Sequence, residues 1–420
     1  MSDTNYLKDV REQYENLPYP ERNPIDEEKR LLETSLDFLP RLNHYCFSGK
    51  RNFNKGFNVL VAGGGTGDAL VYLAEQLRNV KKAKITYVDL STSSMDIAKE
   101  RAKTRGLNNI DWINSSLLDL NKEQHGTFDY INCSGVLHHL ESPSNGLKAL
   151  KSVLSNDGAM GIMVYAKYGR TGVYQIQKLL NLVNHENNSI STKIDNAKVL
   201  LADLPESNWF NRAKELHTDH ERYGDIGLYD LFLHSQDRAY SIPELFDWLS
   251  EAGVHFYGFA NSALDYDPRR VIKDKGLVEN ILKRPKEVQY AITELVSGNI
   301  IKHTFYCGGA KKSIAKLSGE MYPVFADKLL LKNILMNMNE SVYGNEYAFK
   351  NNAVNFSIPV NPITHAIFTY MDGKHSYDQI LKLASVKSKV HKKDIKEKLY
   401  QLSELLIECD FLYLSDSKLN

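Results

Sequence analysis

Nine residues, Val59-Leu-Val-Ala-Gly-Gly-Gly-Thr-Gly67, narrow the folds open to this chain more than any other stretch. An apolar run delivers the backbone into a loop where glycines at 63, 65 and 67 remove side chains. Such a loop suits a sharp turn and the close approach of a ligand. The next segment, Asp68–Leu77, has helical texture, so its N-terminal amides would face that ligand. Asp89 follows 22 residues after Gly67, at the end of the next apolar run, where a carboxylate is placed to accept both hydroxyls of a ribose. Short apolar runs then alternate with amphipathic ones: FNVLVAG, KITYVDL, NIDWIN, FDYINCSG and GAMGIMVYA, with helical patterns between them. This is the texture of βα units on a parallel sheet covered on both faces.

Two cofactor classes use such a layout. The dinucleotide fingerprint GxGxxG fails, because counting from Gly63 its last glycine falls on Asp68 and from Gly65 on Leu70. An NAD-dependent oxidoreductase is thereby disfavoured. What remains, GxGxG followed by a strand-end acid, resembles the class I S-adenosylmethionine-dependent methyltransferases over residues 57–165, and more loosely to 310. The resemblance implies a Rossmann-like α/β sheet with helical inserts and S-adenosylmethionine as cofactor. By position it places Gly63, Gly65, Thr66 and Gly67 around the methionine end, Asp89 on the ribose, Leu90 beside the adenine, and Ser116 and Leu117 at the third strand's exit. Two departures stand out. Ser116 occupies a position where the family often has an acid, and Val61 one where many members carry an acid in the first strand.

The fourth strand and its exit read Phe128-Asp-Tyr-Ile-Asn-Cys-Ser-Gly-Val-Leu-His-His-Leu140. Ligands of doubly wound sheets lie outside the carboxyl ends of the strands, which puts Cys133 and Ser134 near the sulfonium. His138 and His139 follow as candidate bases, since methyl transfer to a hydroxyl or ammonium requires removal of a proton. No Asn-Pro-Pro-Tyr type of motif follows this strand, which argues against DNA adenine or protein glutamine as acceptor. The flanks supply acceptor candidates: Tyr14 and Tyr19 in YENLPYPER, Tyr168 and Arg170 after the fifth strand, and His234 before a helix start at Ser241-Ile-Pro-Glu244. His217 and His220 have helical i,i+3 spacing but lack a third spaced ligand, so no metal is expected.

Composition separates the chain into parts. Its 52 basic and 52 acidic residues cancel, but from Lys311 onward there are 15 lysines, no arginine and 12 acids. The expected organisation is an N-terminal lid or helical segment at 1–56, with a helical pattern around Glu27–Leu42. A methyltransferase domain follows at 57–310, with inserts at about 170–250 and 262–298, and then a small α+β winged-helix-like domain at 322–417. Within the last, PITHAIFTYMDGKHSYDQILKLA resembles the peptide-binding winged domains related to the PqqD family. Lys374–Lys398 carries eight lysines against three acids. A solvated lysine face accounts for the run first, peptide or protein docking second and DNA third, because bidentate base readout favours arginine.

The N-terminus lacks a signal-peptide core, no apolar window approaches membrane-helix length, and the four cysteines are scattered without a CxxC pair. A cytoplasmic protein is therefore expected, with no membrane or nucleic-acid partner. The function read from these residues is methyl transfer to an O or N acceptor on a small molecule or a peptide or protein. A non-catalytic cofactor-binding regulatory or interaction module is the alternative.

Overall fold

The computed structural model describes residues 8–185, 187–260, 263–340, 343–350 and 355–418. The first residues of the 1–56 segment, the start of the 262–298 insert and parts of the apolar stretch after 322 lie outside them.

Five strands, β1 (Phe57–Ala62), β2 (Ala83–Asp89), β3 (Ile110–Asn114), β4 (Phe128–Ser134) and β5 (Leu154–Ala166), pair in parallel. The two-residue β6 (Ala239–Tyr240) adds to β5, and β7 (His255–Phe259) and β8 (Lys302–Gly308) complete the sheet. Its order is β3-β2-β1-β4-β5-β8-β7, with β8 antiparallel to both neighbours. Apolar content in NIIKHTFYCGG foretells a strand but not its direction, which is set by the helices that precede it. The topological switch falls between β1 and β4, so their carboxyl ends open into the crevice where such sheets bind ligands.

Period-two alternation divides the sheet's side chains between two cores. Leu60, Ala62, Ile131, Cys133 and Ile162 face one layer. Val59, Val61, Tyr87 and Tyr130 face the other, beneath the helices α2 (Leu39–Cys46), α3 (Asp68–Gln76) and α4 (Thr92–Thr104). Each fully buried aliphatic side chain contributes about 2 kcal/mol, so this two-sided burial carries the fold. Helix starts are marked chemically. The Ser91 side chain caps α4 through Ser94 N, and Ser241 with Glu244 forms the reciprocal capping box expected for the helix Ile242–Glu251.

The helical pattern around Glu27–Leu42 resolves differently from expectation. Residues Pro24–Glu28 form a short 3-10 turn, and α-helix begins only at Leu39, with Pro40 in its first turn. Glu27 is drawn into ion pairs with Arg101 and Arg105, which hold the chain out of helix. Helices Thr171–Val183, Ile190–Ala202 and Gly224–Phe232 surround a separate small core that includes Val173, Ile176, Leu180, Phe210 and Phe232. Residues from Ala239 return to the sheet, where Ile242, Leu245 and Trp248 join its main core.

The C-terminal part forms a fourth core. A hairpin of β10 (Glu346–Lys350) and β11 (Asn355–Pro359) precedes the helices Pro362–Tyr370, Tyr377–Ser388 and Lys392–Glu408. The last strand, β12 (Leu412–Ser415), pairs with β9 (Tyr322–Phe325) and lies against α2. There Leu414 N donates to His44 Nδ1 at 3.1 Å, and Arg41 NH2 meets Asp410 Oδ2 at 2.7 Å. Among the described residues no helix is long and apolar enough to cross a membrane.

Candidate active site

The carboxyl ends of β1, β2, β3 and β4 open into a cavity of about 590 Å³, within the range of small-molecule and cofactor sites. Its floor is the glycine loop, where Gly63, Gly65 and Gly67 take φ values of +67°, +51° and +97° that other residues rarely adopt. Asp89 ends β2 in the cavity wall. Its Oδ2 accepts from Gly65 N and its Oδ1 from Ser91 N, both at 2.8 Å, so the acid also braces the loop. Loss of solvent pushes the Asp89 carboxyl up to about 6, against the pull of these amide bonds. Leu90, Ser115, Ser116 and Leu117 line the β3 side. The Ser116 hydroxyl oxygen accepts from Leu118 N at 3.1 Å, capping the turn Leu117–Asp119. Its proton remains available to a ligand.

Of the other residues expected near the cofactor, Ser134 lines the cavity, whereas Cys133 is fully buried in the core behind it. Thr66 is buried and turned away from the lumen. Its hydroxyl donates to Pro20 O at 2.7 Å, and a Cβ on Gly65 would meet Tyr19 O at 2.8 Å. The N-terminal segment, including the helix α1 (Lys8–Asn16), thus lies directly over the loop. Glu15 accepts from Thr92 N and Ser93 N at 3.0 Å, an acid at the first turn of α4 held below the usual carboxylate range by these amides, which outweigh its desolvation. Arg22 closes the strap on Asp68 with a 2.6 Å contact, and Asp68 also takes Arg101 at 2.7 Å. Asp68, which spoils the dinucleotide fingerprint, is therefore the residue that ties strap to loop.

Beyond Ser134 the cavity is walled by Tyr14, Tyr19, Tyr165, Arg170, His139, Asp219 and Asp230. His139 Nδ1 lies 2.7 Å from Gln236 O, so it carries the proton and leaves Nε2 with a lone pair. Burial holds the His139 pKa below its ordinary value, which keeps the ring neutral. His234 stacks on it with centroids 3.7 Å apart and a 17° tilt. His234 Nδ1 accepts from Gln236 N, so its Nε2–H faces Tyr14 Oη at 3.3 Å, and Tyr14 Oη donates to Asp230 Oδ1 at 3.1 Å. Burial pushes the Asp230 carboxyl up to about 7.

The expected pair of histidines is split by this geometry. His139 reaches the cavity wall, but His138 is fully buried against the Tyr165 ring at 4.0 Å, with neither ring nitrogen bonded. Arg170 lines the cavity with its guanidinium 3.6 Å over the Tyr165 ring and 3.3 Å from Asp237 Oδ2. His234 sits one layer behind the wall. Tyr168 is 37 % exposed and lies outside the lining. His138, His139 and Asp237 offer ligand-type atoms within 4.8 Å of one another. Arg170 already holds that carboxylate and places a fixed positive charge beside it, which disfavours a cation there. Sequence reasoning missed Asp37, Tyr165, Asp219 and Asp230. They belong to no spaced motif, and only the fold gathers them.

Comparison with known proteins agrees with this construction. Residues 60–160 match the methyltransferase-domain family. An uncharacterized protein of Synechococcus sp. is 31 % identical over 252 residues, 60 % of each chain. A ubiquinone biosynthesis O-methyltransferase of Actinobacillus pleuropneumoniae is 27 % identical over 117 residues, 25 % of this chain and 48 % of that one. The chain thus spans about half to three fifths of the length of these curated relatives. PKMT2 from Rickettsia typhi, solved alone and in complex with AdoHcy, shares the fold with a TM-score of 0.66, covering 92 % of this chain and 76 % of that one at 18 % identity. The matched segment runs from the first strand into the fifth, the stretch whose carboxyl ends open into the cavity, and it is a methyltransferase domain.

Proposed function

We propose that the chain methylates the nitrogen of an amine-bearing acceptor, on a small molecule or a peptide. One observation carries this reading: beyond Ser134 the cavity wall combines three tyrosines, Tyr14, Tyr19 and Tyr165, with the carboxylates of Asp230 and Asp219. Aromatic faces and carboxylates attract an ammonium group. Of the two lysine or arginine side chains that line the cavity among the described residues, Arg170 is paired with Asp237 and Lys302 is exposed to solvent.

S-adenosylmethionine supplies, when bound, a methyl group on a positively charged sulfur. Gly63, Gly65, Asp89, Leu90, Ser116 and Leu117 are the residues that would hold it, and Gly67 sets the turn into α3. The chain's remaining work is alignment, exclusion of water and removal of one proton from the acceptor nitrogen. Asp230 and the tyrosines orient the ammonium, and the neutral His139 Nε2 receives its proton. The strap over the loop keeps solvent out. Residues 322–417, with the helix Lys328–Glu340 ahead of a hairpin and three helices after it, are read as a winged-helix-like docking module, and the scattered, reduced cysteines fit a cytoplasmic setting.

The test incubates the chain and radiolabelled S-adenosylmethionine with cell extract, split into small-molecule and macromolecular fractions. Half of each is first acetylated at its amines. Labelling abolished by acetylation is the expected result; labelling that survives it overturns the amine reading. A hydroxyl acceptor is the second reading, favoured by the orientation of His139 Nε2 and by the name of the Actinobacillus relative.

A further inference from the structure

The sheet order fixes how an adenosyl cofactor must lie. With adenine beside β3 and ribose at Asp89 on β2, the aminobutyrate end continues across β1 toward β4. A carboxylate is wanted there for the cofactor's α-ammonium, yet β1 offers only Val61. Val61 is in register with Asn132 of β4. Asn132 Nδ2 donates to Asp37 Oδ1 at 2.8 Å and to Oδ2 at 3.0 Å. Thr34 Oγ1 adds a bond to Oδ2 at 2.6 Å and Tyr130 OH one to Oδ1 at 3.1 Å.

Asp37 comes from the segment before α2, outside the sheet altogether, and is fully buried while lining the same cavity as Val61, Gly63 and Asn132. Among the described residues no cation is bonded to it. Nearby Arg41 spends its donors on Ser35 O, Asp410 and Tyr413. A buried carboxylate with aligned donors and no bonded counter-ion is a site prepared for a cation.

We propose that Asp37 binds the α-ammonium group of S-adenosylmethionine, standing in for the first-strand acid that Val61 replaces. The assignment rests on the cofactor reading above. It makes the segment ahead of the sheet a part of the nucleotide site and gives the site selectivity for an amino-acid tail over a bare thioether.

The experiment measures two ligands by calorimetry, or by competition where binding is weak. S-adenosylhomocysteine carries the ammonium, and 5′-methylthioadenosine lacks the whole aminobutyrate. Asp37→Asn is expected to weaken the first at least tenfold and to leave the second within twofold. Equal losses for both ligands, or no loss for either, overturn the proposal. Should D37N not fold, Thr34→Val keeps the charge while releasing one bond that aims it. A two- to fivefold loss confined to S-adenosylhomocysteine is then expected, and a loss shared by both ligands overturns it. A wild-type chain that binds neither ligand overturns the cofactor reading itself, and the Asp37 assignment with it.

Discussion

Arg41 and Asp410, 369 residues apart in the chain, meet at 2.7 Å with both side chains at most 10 % exposed. Arg41 Nε also donates to Tyr413 OH at 2.7 Å, so α2 is fastened to the closing turn before β12 by charge and hydroxyl together. Replacing Arg41 with Met takes the guanidinium from the buried Asp410 carboxylate, which keeps the Tyr45 hydroxyl, at a cost of about 3–5 kcal/mol. Thermal unfolding should show a drop of several degrees. An unchanged transition would mean that the pair is dispensable.

Asp89 lines the cavity where the ribose is proposed to lie, and it braces Gly65. Asp89→Ala releases the Gly65 and Ser91 amides and removes the acceptor proposed for the ribose; loss of one charge-assisted ligand bond of about 1.5–3 kcal/mol should weaken S-adenosylhomocysteine by about ten- to a hundredfold. Titration calorimetry decides the matter, and retained affinity would relocate the ribose.

His138 and His139 should separate cleanly. His138 has two buried nitrogens without partners, so His138→Phe removes a desolvation penalty of about 1–3 kcal/mol without losing a bond. It should be neutral or stabilising and remain active. His139→Gln should leave S-adenosylhomocysteine affinity within twofold while lowering kcat by about a hundredfold or more. Comparable activity of the two variants would remove His139 from the proton path.

Asp230 gives the chain a pH signature. Its carboxyl is pushed up to about 7 chiefly by burial, with Asp219 and Asp237 adding repulsion, while the Tyr14 hydroxyl and the Arg170 charge pull the other way. The folded state therefore binds a proton that the unfolded state has already released above about 4. The stability this provides is full below pH 4 and is lost as pH rises to 7. Compared with wild type, Asp230→Asn should gain stability from pH 5 to 8. Denaturant midpoints of the two proteins that stay parallel across this interval would contradict the shift. The ammonium-binding role runs the opposite way, with turnover rising through pH 7 in the wild type and that limb missing from D230N.

The cofactor half of the proposed site, as a glycine loop and a strand-end acid that meet in one cavity, was legible because its demands are local. A positive φ needs glycine, a strand end needs an acid, and both follow from short spacings around 59–67 and at Asp89. The acceptor half was partly legible. Tyr14, Tyr19 and Arg170 stood out as an aromatic cluster and a post-strand loop, and all three reach the wall. Tyr168, from the same loop, is exposed together with Lys167, whereas the next two residues, Gly169 and Arg170, are buried. Asp37 and Asp230 carried no signal, since one sits in an irregular stretch and the other within an ordinary-looking helix. Pairings such as Asp37 with Asn132 join segments about a hundred residues apart, and periodicity contains no record of them. The direction of β8 was invisible for the same reason.

Asp68 is shared by Arg22 of the strap and Arg101 of α4, directly below the glycine loop. The segment over the glycine loop is thus held by partly buried ion pairs, and opening the cavity on that side requires Arg22 and Asp68 to part. Residence time then depends on ionic strength as well as on the fit of the ligand, since salt screens these pairs and leaves the floor untouched. A dissociation rate for S-adenosylhomocysteine that climbs with added salt is the signature. Its absence would show that the strap opens freely. A salt-dependent rate would mean that successive turnovers are paced by a gate that never touches the methyl group.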